Sequence, residues 1–452
     1  MGISVGGLVS GIDTDSLVAG LVAAYGTPKT VMESQLADLQ EEQDAFAGLD
    51  TRLTTLRTSL EKVSTTDSFE AYTATSADDS YVGVTASTGA IAGRYSVKVN
   101  QLATSASQLS QGFASKTTDG ALGTGTFALT YGSTTTNITV DSTTSLSDLA
   151  DAINDQADGV SAYVMNTGDA TTPYRLVLTG DDTGAANTIS VDTSAMSGGT
   201  APAFTEVSAA EDAEVEINGI TITDSDNTID QAIPGLSFTA EALTSTAVNV
   251  DVSLDTTAMA DKIKAVVDAY NSVMSYVGVK SSYNADADIK GPFVGQGLVS
   301  TITDSLSSMI TAQYGSNAVN ALSQMGISTE KDGSLTFDTT AFSEAFAANP
   351  DDVIALFTDE TTSFTATFDA ALKSLTEGEY SPLEARGDSL QDDIDTTSDR
   401  IDTLTANLTK YEERLKKQFS KMEILMSQAQ TAQSALSALF SDTSNSSSSS
   451  SN

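Results

Sequence analysis

The chain contains no cysteine, no histidine and no tryptophan. Without Cys and His there can be no Cys–His or Ser–His–Asp nucleophilic site. A Cys/His zinc site is excluded for the same reason. No disulfide contributes to stability, although missing cysteine does not by itself give the compartment. Basic residues are scarce, with 21 Lys and Arg against 61 Asp and Glu, a formal net charge of −40. Phosphate backbones need clustered cations, so nucleic acid is a poor partner. An anionic membrane surface is disfavoured likewise. The uncharged run from Ser16 to Pro28 is too short to span a bilayer, so no membrane insertion is expected. The first basic residue is Lys29 and Asp13 and Asp15 interrupt the early apolar stretch, which does not read as a cleavable leader.

What is present is organised by position. The 452 residues are enough for two to four domains, and 40% of them are hydrophobic. Residues 1–70 hold 11 acids and 4 bases, and residues 383–442 hold 11 acids and 7 bases. The stretch between them holds 39 acids and 10 bases, which makes it the most strongly solvated part.

Both ends carry heptads. Met32, Leu39, Phe46, Leu53 and Leu60 recur every seven residues, with Leu49, Leu56 and Val63 at the alternate position. Near the C-terminus one position runs Ile394, Ile401, Leu408, Leu415, Met422, and the other runs Leu390, Leu404, Tyr411, Leu425. Sustained 3/4 spacing indicates a coiled coil. Gln35, Glu42, Thr397 and Gln418 fall at seam positions and are expected to weaken it while setting its register. At 1.5 Å per residue Met32–Val63 would span roughly 48 Å and Leu390–Leu439 roughly 75 Å. Long apolar stripes of this kind need each other as partners.

The organisation expected is therefore a sequence of six parts. Residues 1–31 form a flexible segment and a short helix, ended or kinked at Thr27-Pro28. Residues 32–70 form the first stalk helix, and 71–255 form β-rich lobes. Residues 256–380 are mainly helical, 381–442 form the second stalk helix, and 443–452 are a disordered Ser-rich tail. Within the β-rich part, Asn218-Gly219 between Val215–Ile217 and Ile220–Ile222 is a strong hairpin signal. Ser145 is placed to cap a helix carrying Leu146, Leu149, Ala150 and Ile153. Asn349-Pro350-Asp351-Asp352 reads as a helix start. The fold class is α+β multidomain: terminal helices paired as a long coiled-coil stalk, with central β-rich head lobes.

Chemistry-bearing motifs are few. Asn284, Asp286, Asp288 and Gly291 resemble the start of a calcium loop, but Gly295 stands where a bidentate Glu is needed. Asp351 and Asp352 are explained as helix-start carboxylates. No catalytic, metal or cofactor site is assigned, and an enzyme is not expected.

Several stretches together resemble the flagellar hook-associated protein 2 family, the filament cap. They include GGLVSGIDTDSLVAGLVAAYGTPK at Gly6–Lys29 and GRYSVKVNQLATSASQ at Gly93–Gln108. INGITITDSDNTIDQAIPGLSFT at Ile217–Thr239 resembles the family's "IN" motif. LSQMGISTEKDGSLTFD at Leu322–Asp338 and FSEAFAANPDDVIALF at Phe342–Phe357 are similar to its C-terminal module. The resemblance implies a structural cap at the distal tip of a bacterial flagellar filament. It implies a homo-oligomeric ring, pentamer or hexamer, with flagellin as partner. It also implies passage through the flagellar export apparatus with an export chaperone and no cleaved leader. Leu8, Leu17, Val18, Leu21 and Val22 lie outside the heptad and, on this resemblance, contact filament or a neighbouring subunit. Leu436 and Leu439 belong to the same expected contact region, or else cover that early stretch themselves. Two alternatives share the layout: a flagellum-displayed adhesin, and another axial protein such as a hook–filament junction protein.

Overall fold

The computed structural model describes residue 11 and residues 13–285, 289–378 and 381–445. The chain divides into two units. One comprises the chain up to Ser64 together with the chain from Lys262; the other is Thr65–Asp261.

The first unit is mainly helical, with two short two-stranded sheets. Its first helix, Thr14–Glu61, starts where the Asp13 carboxylate accepts hydrogen bonds from the Ser16 amide at 3.0 Å and the Ser16 hydroxyl at 2.6 Å. It then continues through Pro28, so Thr27-Pro28 does not end it there. Proline cannot donate to the Ala24 carbonyl one turn back. The Thr27 hydroxyl donates to that carbonyl instead, at 3.0 Å. The helix also ends earlier than residue 70. Thr65 and Ser68 form a capping box that begins a separate short helix, Thr66–Phe69.

The last helix, Pro382–Asn445, is 64 residues long, roughly 96 Å at the standard rise. It continues three residues into the expected tail, and residues 446–452 lie outside the described residues. The first and last helices lie antiparallel. Tyr25 stacks on Tyr411 with ring centroids 4.6 Å apart, while Gln43 donates to Gln391 at 2.8 Å.

Phe364–Thr376 and the Lys262–Lys280 portion of a further helix pack on the inner half of the first helix. Gly297–Ile310 and Pro350–Thr358 pack on Phe364–Thr376, and Thr339–Ala348 packs on Pro350–Thr358. Pro350 occupies the first turn of its helix as its sequence indicates. Leu56, Ile263, Tyr270, Phe357, Phe364 and Phe368 meet in one apolar centre and are almost wholly buried. Gly48 is required by this packing. A Cβ there would stand 2.3 Å from the hydroxyl of Tyr276, which donates to the Ala45 carbonyl at 3.1 Å.

The second unit is mostly antiparallel sheet around two apolar cores. A five-stranded sheet has the order Tyr72–Ser76, Val248–Leu254, Gly93–Gln101, Ala213–Ile217, Ile220–Asp224. With the three strands Thr228–Ile233, Leu236–Ala240 and Val82–Ala86 it buries Val97, Val215, Phe238 and Val250. The hairpin at Asn218-Gly219 pairs Ile217 with Ile220, and both turn residues have positive φ, 51° and 82°. The other core holds Phe127, Leu129, Leu149, Ile153, Leu176 and Leu178. It lies among a four-stranded sheet, a three-stranded sheet and the helix Leu146–Gln156. Ser145 and Asp148 close a capping box on that helix, and backbone and side-chain bonds from Ser145 hold the Asp148 carboxyl below its usual range.

Candidate functional site: the paired terminal helices

The site to be tested is the surface of the two-helix rod. Its inner part is anchored by Leu49, Leu53, Leu56, Leu60 and Val63, all essentially fully buried, with Phe46 close behind. Leu390 and Ile394 are also buried there, and Leu415 is buried near the outer end. Further out, Met32, Leu39, Ile401, Leu404, Leu408, Tyr411 and Met422 are only half-buried. The difference has a simple origin. The inner stretch is covered by the surrounding helices, whereas among the described residues the outer stretch packs against a single helix.

Two of the four polar interruptions expected on the seam are not on it. Gln35 and Gln418 are exposed, and Leu36 and Phe419 take the half-buried positions beside them. An α-helix turns in 3.6 residues rather than 3.5, so a strict heptad count drifts off the contact stripe. Here the stripe follows the helix, stepping Leu415, Phe419, Met422. Thr397 is half-buried. Glu42 is half-buried too but is not a simple weakness. It accepts from Gln296 at 2.7 Å and pairs with Arg386, whose guanidinium also lies over the Phe46 ring at 5.9 Å. Arg386 was not singled out from the sequence; an Arg one helical turn before Leu390 was the only available signal.

Leu425, expected on the seam, is 64% exposed. Among the described residues the facing helix begins at Thr14, level with Met422, so Leu425 lies beyond the described pairing. The proposed contact residues divide. Leu17 and Leu21 are exposed, Val18 is buried and Val22 is half-buried. Val18 therefore belongs to the rod interior. Counting antiparallel from Tyr25 opposite Tyr411, it stands level with Leu415–Phe419. It does not lie near Leu436, which is 58% exposed. Leu8 lies outside the described residues, as does the side chain of Leu439. Hydrogen bonds from the Ser16 hydroxyl and amide hold the Asp13 carboxyl below its usual range, keeping the cap charged at the helix start.

Of the calcium-like residues, Asp286 and Asp288 lie outside the described residues. Among the described residues no three Asp or Glu side chains converge in a way that could hold a metal ion, and no helix is long and apolar enough to cross a membrane.

Known proteins are similar to this chain. The flagellar hook-associated protein 2 N-terminus matches residues 10–106 and its C-terminus matches 210–431. The flagellin hook IN motif matches 126–182, not Ile217–Thr239 as expected; that stretch falls within the C-terminal match. The A-type flagellar hook-associated protein 2 of Pseudomonas aeruginosa is 29% identical, covering 94% of both chains. Flagellar hook-associated protein 2 of Escherichia coli K12 is 31% identical, covering 93% of this chain and 94% of that one. The crystal structure of the flagellar cap protein FliD D1-D2-D3 domains from Escherichia coli superposes with a TM-score of 0.62 at 27% identity. That match covers 77% of this chain and 99% of the other. With family matches at both ends and a 31% identical relative along nearly its whole length, the chain belongs to the flagellar hook-associated protein 2 family.

Proposed function

We propose that this protein is the structural cap at the distal tip of a bacterial flagellar filament, where it retains exported flagellin and promotes its folding and polymerisation. The observation that carries this reading is the antiparallel pairing of the chain's two ends into one long rod. Such a rod can reach into a growing tube while the rest of the chain stays at its mouth. Membership in a family whose solved relatives include a flagellar cap protein of Escherichia coli supports it.

The cap works as a homo-oligomeric ring, a pentamer or hexamer, and reaches the tip through the flagellar export apparatus with the help of an export chaperone. Leu17, Leu21 and Tyr25, exposed on the outer first helix, supply contacts to filament or to a neighbouring subunit. Leu436 supplies a further contact on the last helix. The role is mechanical: the outer rod, held by half-buried side chains, binds, releases and binds again as subunits enter.

The test is a deletion of residues 1–25 in the producing bacterium. Filament growth should stop and unpolymerised flagellin should appear in the medium, while the Thr65–Asp261 unit stays folded by circular dichroism. Normal filaments after that deletion would refute the proposal.

A further inference from the structure

Eight of the last helix's charges form two ridges with the same spacing. Asp388, Asp392, Asp395 and Asp399 step by four, three and four residues. Lys410, Arg414, Lys417 and Lys421 step by four, three and four as well. At 3.6 residues per turn, both ridges fall on the side of the helix turned away from the apolar seam. All eight side chains are exposed. Among the described residues none of the eight is in an ion pair; Asp395 accepts only from Gln391, and Arg414 lies against the Tyr411 ring. The basic ridge is unusual in this chain: Lys410–Lys421 holds five of its 21 basic residues.

A spacing of four, three, four reads the same in both directions. Two copies laid antiparallel about a two-fold axis between Leu404 and Thr405 therefore bring every ridge charge opposite its complement. Asp388 meets the other copy's Lys421, Asp392 meets Lys417, Asp395 meets Arg414 and Asp399 meets Lys410. The symmetry repeats each pair, giving eight. The residues that cross at the centre, Thr403 and Ala406, are small enough for close approach.

We propose that this face is a docking surface for the last helix of a second copy, laid antiparallel in that register. A parallel alignment shifted by 22 residues would also pair the ridges, but it makes four contacts rather than eight and does not close on itself. Closure and contact number select the two-fold arrangement. An exposed ion pair is individually weak, so the association needs the eight acting together and is screened by salt. The inference stands independently of the capping role.

The test is sedimentation of the full-length protein at low and high salt. At about 20 mM salt the mass should be twice that at about 500 mM, where the Debye length is a few ångströms. Lys417→Glu should weaken the doubling at least tenfold with unchanged helicity. Adding Asp392→Lys to that variant should restore it, because residues 392 and 417 face each other across the two-fold. Rescue by Asp395→Lys instead would indicate the shifted parallel alignment and overturn the proposal. So would a mass that does not change with salt. As a second measurement, the chain has no native cysteine. A Thr403→Cys/Ala406→Cys variant should cross-link between copies under oxidation at low salt; failure to do so counts against the register.

Discussion

Glu42 on the first helix and Arg386 on the last are joined across the rod, and Gln296 donates to the same Glu42 oxygen at 2.7 Å. Their side chains are 15% and 29% exposed, so both charges are substantially desolvated. Arg386 Nε is buried with no hydrogen-bond partner among the described residues, which makes the guanidinium more dependent on Glu42. The contact fixes which turn of one helix sits beside which turn of the other.

Removing one partner should cost more than removing both. Glu42→Ala leaves Arg386 unpaired and should destabilise the helical unit by about 2–4 kcal/mol. Glu42→Leu with Arg386→Met should lie within about 1 kcal/mol of the parent. Urea unfolding followed by circular dichroism distinguishes the two outcomes. Equal losses in both variants would show that packing, not charge, is what the pair contributes.

Gly48 tests the close approach to Tyr276. Alanine is the better helix former by about 1 kcal/mol. Against that, its Cβ would meet the tyrosine hydroxyl at 2.3 Å, and the Arg52 guanidinium lies 3.9 Å above the same ring. Steric overlap wins, and Gly48→Ala should lose about 1–3 kcal/mol. Tyr276→Phe in the same chain removes the clashing oxygen and should return part of that loss. The check is the melting temperature of the single and double variants.

Burial along the rod sets a gradient of local stability. Amide hydrogens of Leu49–Leu60 should exchange through global opening, and those of Met32–Leu39 through local opening at far lower protection. Leu53→Ala should cost about 2–5 kcal/mol, whereas Leu425→Ala should stay within about 0.5 kcal/mol. Equal protection along the first helix would contradict this picture.

Acid should weaken both units through particular turns. Backbone and side-chain donors from Thr171 and Thr172 lower the Asp169 carboxyl to about 2, and Thr361 and Thr362 do the same for Asp359. A carboxyl with a folded pKa below its unfolded value near 3.9 favours the folded state above that value. That contribution falls away as pH drops through about 4 towards 2. Asp169→Asn and Asp359→Asn should each flatten the dependence over that window. NMR titration of the two carboxyls checks it; pKa values near 4 in the folded protein would remove its basis.

Much of this architecture is legible in residue patterns. Asn218-Gly219 allows positive φ on both turn residues, Ser145 with Asp148 completes a cap, and Pro350 opens a helix; each is decided within a few residues. The long apolar repeats at the two ends likewise need only their own periodicity to be read as partner helices. The detail of the rod is different. Gln35 and Gln418 count as seam residues on a heptad, yet lie exposed while Leu36 and Phe419 take the contacts. Pro28 reads as an end or kink, yet Thr27 supplies the missing hydrogen bond.

The sequence by itself determined the helical ends, the turn and cap positions, the β-rich middle and the exclusion of Cys- and His-based chemistry. These follow from local backbone preference, side-chain periodicity and composition, which act over one or two turns of chain. Only the tertiary structure decided which side chains face each other, that Arg386 answers Glu42, that Val18 is interior and that Leu425 is not. Those depend on the relative rotation and register of helices more than 300 residues apart in the chain, and no local pattern encodes that alignment.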